Sequence, residues 1–558
     1  MKISVSKGDF PILFGGFGFH NSEALFYPII EKEQFNQKIC KCYREISPGF
    51  MRTFAGYANW SKESMDAFAE YYDKMQCVTD TPMYFACAKG QLHFSDEERM
   101  EYAEKVAENL DYLINEKGVK QLRYYCYSNE MSINDWGGLL KDLPLFQKYH
   151  EYLYRAFQKR NLNIGLLATD ASDGYWDTID YAIENMNRIS EDFCLHTYIP
   201  YFTTGDTALY PWLFEECRKY VMKAIRCDGK RLILGELGVR RMLKDENGEL
   251  IPDDFVHLPG VIKDVSAFTY ANEEEIAALM YAEAVLAAIN AGVFAIAMWT
   301  FTDYPDPYVC HYAEHDEYAK KWGQCERFIS QTQDVKYNKC GLIKWEDDAD
   351  YSVKARYYCL GLISRYCRRN SKVLDIENTD PLLRICGLMN KDGTVSIVII
   401  NRNDSVADVD IDLNLKYIES FPEFRVYEYD SANPPVNEFG DLQGHVDSVK
   451  AVNGKISYKI KPQFMIVLST DYKERQEIFA EGVSLDGNIL SWATVEDDLH
   501  CYYRVYRGTT PDFVPSIENQ IASTVAEELD FSERYLPQAA INNVRGDYFK
   551  VISVNKKR

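Results

Sequence analysis

The stretch RYYCYSNEMSIND, Arg123 to Asp135, decides how the chain is read. Tyr124, Tyr125, Cys126 and Tyr127 are large residues that suit a buried, pleated strand. Asn129 and Glu130 then place two polar groups where such a strand would simply stop. A carboxylate delivered to the end of a buried strand calls for a partner, because an unpaired charge is costly away from water.

Seven further runs of the same kind flank this one. Short apolar strands are expected at 11–18 (PILFGGFG), 49–56 (GFMRTFAG), 82–88 (PMYFACA), 122–130 (LRYYCYSNE), 163–170 (NIGLLATD), 193–200 (FCLHTYIP), 231–238 (RLILGELG) and 293–303 (VFAIAMWTFTD). Amphipathic helical patterns lie between them, among them SKESMDAFAEYYDKM with Ser61 as N-cap and EEEIAALMYAEAVLAAINAG closed by Gly292. Eight strands, each followed by a helix, is the count of a (β/α)₈ barrel, an α/β fold. After a last helix, VKARYYCLGLISRYC, the period changes. LRICGLMNKDGTVSIVIINRN carries two strand-like runs around Asp392-Gly393, a hairpin signal, and ADVDIDLNL, FRVYEYD, KISYKI and FMIVLS continue an antiparallel β-sandwich. NILSWATV, YYRVYRG and YFKVISVN form a third unit whose Trp492, Tyr503 and Tyr548 resemble the core aromatics of a fibronectin type III sandwich. The expected division is 1–365 barrel, 366–474 sandwich and 475–558 terminal module, with MKISVSKG lending a strand to the sandwich.

The 558 residues are 46% hydrophobic and 26% charged, the balance of an ordinary globular chain. A net charge of −23 argues against nucleic acid or an anionic membrane as partner, and no run of about 18 apolar residues is present to span one. Fifteen scattered cysteines without a CxxC pair read as reduced thiols, and the start lacks a signal-peptide pattern, so the cytoplasm is the expected compartment. Aromatics reach 14% with 41 Tyr and 8 Trp, a surplus that suits sugar-stacking clefts and β-rich cores equally. Oligomeric state is not legible.

In a (β/α)₈ barrel, reacting groups sit at the C-terminal strand ends. Glu130 ends expected strand 4 and Glu236, in LILGELG, ends strand 7. Paired carboxyls suit glycosidic cleavage: one protonates the leaving oxygen, the other attacks the anomeric carbon or activates water, depending on their separation. A carboxyl near aromatic surfaces and another negative charge has its pKa raised and becomes the acid.

Asn-Glu ending strand 4 and Glu ending strand 7 resemble clan A of the retaining glycoside hydrolases, nearest to family 39 (β-xylosidases and α-iduronidases), with families 5, 30, 51 and 79 as relatives. The resemblance covers the barrel and, more loosely, the sandwich. It implies Glu130 as acid/base, Glu236 as nucleophile and Asn129 on the substrate 2-hydroxyl. It further implies Arg52, in FMRTFAG, as the cation paired with the nucleophile, and His196 and Tyr198, in LHTYIP, as the pair whose hydroxyl bonds it. Trp299 would floor the −1 sugar, His20 would meet a sugar hydroxyl and Trp136 would stack on an aglycone. No cofactor or metal is implied. Met131 follows Glu130 where several of these families have proline, a departure that weakens the family 5 and 39 assignments and leaves the Asn-Glu pair intact.

Two other readings stay open. One is a non-catalytic carbohydrate-binding barrel. The other is a zinc hydrolase using His311, Glu314 and His315, which have HxxEH spacing, with Cys310 and Cys325 nearby in the expected loop after strand 8. Gly15-Gly16-Phe17-Gly18 lacks a following phosphate-binding helix and is expected to allow close backbone approach at the cleft floor. The sugar is undefined; Arg240 and Arg241, just past Glu236, keep a uronate in play.

Overall fold

The computed structural model of the protein describes residues 1–8, 12–56, 58–76, 81–86, 95–130, 142–199, 209–239, 242–244, 250–252, 269–270, 277–305, 337–338, 340–345, 351–415, 423–472, 476–531 and 547–555. Eight parallel strands close a barrel: β1 (Gly16–His20), β2 (Phe50–Phe54), β3 (Met83–Ala86), β4 (Leu122–Cys126), β5 (Gly165–Ala171), β6 (Asp192–Ile199), β7 (Leu232–Val239) and β8 (Ala295–Met298). Each pairs with its sequence neighbour, and β8 returns to β1 through the register Ala295 to Gly16. The helices that follow the strands are held at their ends by local chemistry. Ser61 Oγ accepts from Ser64 N–H at 3.2 Å, and Ser95 with Glu98 forms a reciprocal capping box at the start of Asp96–Asp111. Gly292, at φ +94°, ends the helix Ala277–Ala291 in a conformation that penalises any side chain.

Two details of the first strand depart from expectation. Barrel pairing begins only at Gly16, because Leu13–Phe14 instead pairs antiparallel with Ser371–Val373 in the sandwich. The glycines do permit close approach, but between strands rather than beneath a cleft. A Cβ on Gly18 would stand 1.7 Å from the Phe50 carbonyl oxygen, and one on Gly16 2.4 Å from that of Gly49. Gly15 and Phe50 line a hollow with Pro82 and Leu122 at the strand starts, opposite the end that carries the polar groups.

Behind the barrel, a four-stranded sheet faces a seven-stranded one. Lys2–Ser6 lies in the smaller sheet between Asp375–Asn378 and Ala407–Asn414. ADVDIDLN alternates buried and exposed residues as a half-solvated strand must. VSIVIIN (Val395–Asn401) is buried throughout for a different reason. Val395, Ile397 and Ile399 enter the sandwich core, while Val398 and Ile400 join the barrel's own hydrophobic cluster. One apolar run thus glues the two units together.

The terminal module stacks a four-stranded sheet on a three-stranded one. Trp492 and Tyr503 are in its core with ring centroids 5.5 Å apart. Tyr548 is not: it is 45% exposed, and its neighbour Phe549 packs on Phe531 instead, because adjacent residues of a strand point to opposite faces. Among the described residues eleven cysteines are free and buried, and no helix is long and apolar enough to cross a membrane.

Candidate active site

The C-terminal strand ends converge on one charged cluster. β2 supplies Arg52, entirely buried, whose guanidinium reaches four groups. Nη1 donates to Glu236 Oε1 at 2.7 Å and to His20 Nδ1 at 2.9 Å. Nη2 donates to Asn129 Oδ1 at 2.6 Å and to Asp170 Oδ2 at 3.3 Å. The fork binds strands 1, 4, 5 and 7 to strand 2, a role for a planar cation that lysine cannot fill. Since His20 Nδ1 accepts, its proton sits on Nε2, which is buried and has no partner among the described residues. Burial, then Arg52 and His196, lower the His20 pKa well below the ordinary value, so this ring is neutral.

His196 is charged. Nε2 lies 2.9 Å from Asp170 Oδ1 and Nδ1 lies 3.0 Å from Glu130 Oε1 and 3.6 Å from Glu236 Oε2. Both nitrogens therefore face acceptors and both carry protons. Burial alone would discharge the ring, but Asp170 and Glu236 outweigh it and raise its pKa well above 6.5. The position comes from a register shift between Leu195 and His196 against β7, which sets His196 opposite Glu236. Trp176 Nε1 donates to the His196 carbonyl at 2.7 Å and holds the backbone there.

Glu236 accepts at both oxygens, from Arg52 at Oε1 and from the Tyr198 hydroxyl at Oε2, 2.5 Å away. Burial pushes its carboxyl above the ordinary value, against His196 and Arg52 and with help from Glu130. The expectation that the carboxyl raised by its surroundings is the acid would select Glu236. Its contacts overrule that: two donors occupy its two oxygens, which suits an ionised group. Glu130 has a single side-chain hydrogen bond among the described residues, to His196, and its side chain is 15% exposed against 4% for Glu236. One atom each of Glu130, His196 and Glu236 lie within 4.8 Å of one another. The cluster sets three carboxyl groups, Glu130, Asp170 and Glu236, against two cations, Arg52 and His196. One added proton makes it neutral.

Glu130 does not end a paired strand. The β4 ladder stops at Cys126, Tyr127 stacks on Tyr149 with centroids 4.1 Å apart, and Glu130 stands in a bend with φ +50°. Its N–H donates to the Asp170 carbonyl at 3.2 Å. Asp170 is itself left-handed, φ +58°, in a bulge between Thr169 and Ala171 that turns it into the barrel. Non-glycine residues in this region are strained and cluster where a structure holds a side chain for use. At the end of β8, Trp299 lies 4.4 Å from the His20 ring and 5.7 Å from Phe54, beside the same charged cluster.

Arg52, Asn129, Glu130, His196, Tyr198, Glu236, His20 and Trp299 thus come together. Trp136, the HxxEH stretch with Cys310 and Cys325, and Arg240 and Arg241 lie outside the described residues. Sequence reasoning missed Asp170, Tyr84 and Cys194. Asp170 had the same signal as the two glutamates, a carboxylate closing an apolar run (NIGLLATD), whereas Tyr84 and Cys194 lie inside strands and carried none. As for a metal, Asp170, Cys194 and His196 also gather donor atoms within 4.8 Å. In both groups the carboxylates already face Arg52 or the His196 ring, and burial pushes the Cys194 thiol up to about 12, so the donors are engaged with the protein's own cations.

No protein-family model matches the chain, and no curated protein does. Solved structures do. The catalytic domain of a glycoside hydrolase family 30 xylanase C from Talaromyces cellulolyticus superposes with TM-score 0.54 at 14% identity, over 84% of this chain and 99% of that one. An α-L-arabinofuranosidase from Thermotoga maritima gives 0.53 at 13%, over 84% and 99%. The family 51 α-L-arabinofuranosidase AbfB of Bifidobacterium longum gives 0.53 at 12%, with the same coverage. The fold is the one these solved structures have. Barrel and sandwich are shared with these enzymes almost to their full length.

Proposed function

We propose that the protein is a glycoside hydrolase that cleaves a glycoside or short oligosaccharide with retention of configuration. The observation that carries this reading is the pair of glutamates, with atoms within 4.8 Å of each other across one buried charge cluster. Such a close approach supports the roughly 5–5.5 Å separation of a double-displacement enzyme over the wider gap that holds the attacking water of an inverting one. Glu236, bonded by Arg52 and Tyr198, attacks the anomeric carbon. Glu130 gives its proton to the departing oxygen, then takes one from the water that releases the sugar. Asn129 is assigned to the 2-hydroxyl, His20 Nε2–H to another hydroxyl and Trp299 to the sugar face. Trp136 is assigned to the aglycone.

A panel of aryl glycosides tests the reading, led by xylosides and arabinosides because the similar enzymes are named for those sugars. The wild type should turn over at least one, with the β- or α-configuration of the first-formed sugar matching the substrate. Glu236→Ala should lose roughly 10⁴-fold or more, with azide giving a glycosyl azide from Glu130→Ala. Sugar binding without turnover would instead mark a carbohydrate-binding barrel. Inhibition by chelators, with Glu236→Ala unaffected, would mark a metallohydrolase.

A further inference from the structure

We infer that Asp170 is a positioning residue that holds His196 as the donor orienting Glu130. This rests on the glycosidase reading for its consequence, but not for its geometry.

The carboxylate is fully buried, yet it faces donors on all sides. Oδ1 meets His196 Nε2 at 2.9 Å, the Tyr84 hydroxyl at 2.6 Å and the Cys194 thiol at 3.1 Å, while Oδ2 meets Arg52 Nη2 at 3.3 Å. Its backbone carbonyl accepts from Glu130 N–H. One residue therefore grips Glu130 twice, directly through the main chain and at one remove through the imidazole. Because Asp170 accepts from Nε2–H and its charge keeps the ring a cation, Nδ1 also carries a proton, which it presents to Glu130 Oε1 at 3.0 Å. That fixes Oε1 as an acceptor and leaves Oε2 for the proton to be given away. Without the Asp170 charge, His196 is free to lose a proton, and the Nδ1–H that orients Glu130 becomes optional.

The groups that face His196 come from every neighbouring strand: Asp170 from β5, Glu130 beyond β4, Glu236 from β7, Arg52 from β2, and Cys194 on its own strand. Arg52 opposes a charged imidazole, and the carboxylates favour it. Although burial resists its ionisation, His196 and Arg52 hold the Asp170 carboxyl well below the ordinary carboxylate value, consistent with a permanent anion.

The test is Asp170→Asn in the full-length protein, read by the ring ¹⁵N signals of labelled histidine and by pH profiles of kcat and KM. The His196 signals are assigned from their disappearance in His196→Gln. The wild type should show His196 doubly protonated from the acid side to well above pH 6.5. In Asp170→Asn that ring should become neutral within the same range, kcat should fall about 100-fold with little change in KM, and a new alkaline limb should enter the kcat profile. Cys194→Ala, which removes another neighbour of Asp170, should keep the imidazolium signature. A neutral His196 in the wild type overturns the inference without any variant. So does an unchanged His196 spectrum and pH profile in Asp170→Asn, whatever the rate. If the wild type cleaves no glycoside, the functional reading falls, and the histidine spectra still decide this one.

Discussion

Two of the regions in which this molecule buries charge do it differently. At the barrel mouth, Arg52 and His196 face three carboxyl groups, the cluster is one proton short of neutral, and His20 Nε2 has no partner among the described residues. At the junction of barrel, sandwich and terminal module, Lys41 and Arg504 face Glu45 and Asp441, two cations against two anions. There every oxygen is taken. Asp441 accepts from Lys41 at 2.5 Å, Arg504 at 2.9 Å, Gln520 at 2.9 Å and Ser523 at 2.9 Å. Glu45 accepts from Lys41 at 2.9 Å, Tyr357 at 3.1 Å, Tyr502 at 2.9 Å and the Leu442 N–H at 3.0 Å. A saturated, balanced network can only hold elements together. An unbalanced one with an open donor and a half-buried carboxyl can also exchange a proton and receive a ligand.

The contrast can be broken by exchanging the readouts. Activity is expected to be most sensitive at the mouth. Glu236→Ala should cost roughly 10⁴-fold or more in kcat/KM, and Glu130→Gln about 10²- to 10⁴-fold, with less effect on substrates whose leaving group needs no proton. Both should melt near the wild-type temperature, since removing a like charge from the crowded mouth relieves repulsion. A large drop in melting temperature would mean that the mouth is a structural network like the junction.

Stability should be most sensitive at the junction. Lys41→Met strands Glu45 and Asp441 without their shared cation and should destabilise by about 3–5 kcal/mol, measured by denaturant unfolding, while kcat of the folded fraction stays put. The surface pair Lys32–Glu528, with side chains 65% and 50% exposed, bridges barrel and terminal module at 3.1 Å. Lys32→Ala should cost less than about 1 kcal/mol. Equal effects at the two positions would show that burial does not set the strength of this interface.

Acid separates the regions more finely. Despite burial, Lys41 and Arg504 hold the Asp441 carboxyl well below its ordinary 3.8. A depressed folded-state value adds stability that is complete above about pH 4 and fades as the pH falls toward the folded value. Unfolding stability should therefore drop below about pH 4, and Asp441→Asn should flatten that drop. At the mouth the sign reverses for Glu236. Its carboxyl is raised above 4.5, so the acid limb of kcat/KM should lie above the pH of an ordinary glutamate. A limb at or below about 4.5 would contradict the burial of the nucleophile.

Much of this was legible before any coordinates. Eight apolar runs with helices between them call for a parallel sheet, because parallel strands need both faces covered and a crossover between each pair, and the count of eight is that of a closed barrel. The Asp392-Gly393 hairpin and the alternation of ADVDIDLN were equally plain, since a turn residue with positive φ and a half-buried strand leave local marks. Carboxylates at strand ends flagged Glu130 and Glu236, and the family resemblance then pointed to Arg52 and His196.

Other features required the chain to fold first. VSIVIIN looks like any buried strand, and only packing shows that its two faces belong to different cores. Tyr548 and Phe549 differ in burial by the phase of one strand. Asp170 reaches His196 because a bulge turns it inward, and no periodicity announces a bulge. Which carboxylate is ionised was likewise decided in three dimensions. Sequence determines which residues reach the mouth of the barrel, through propensity and spacing along the chain. Closure of the barrel determines which hydrogen-bond donors each of them meets there, and in a low-dielectric site those donors set where the proton resides.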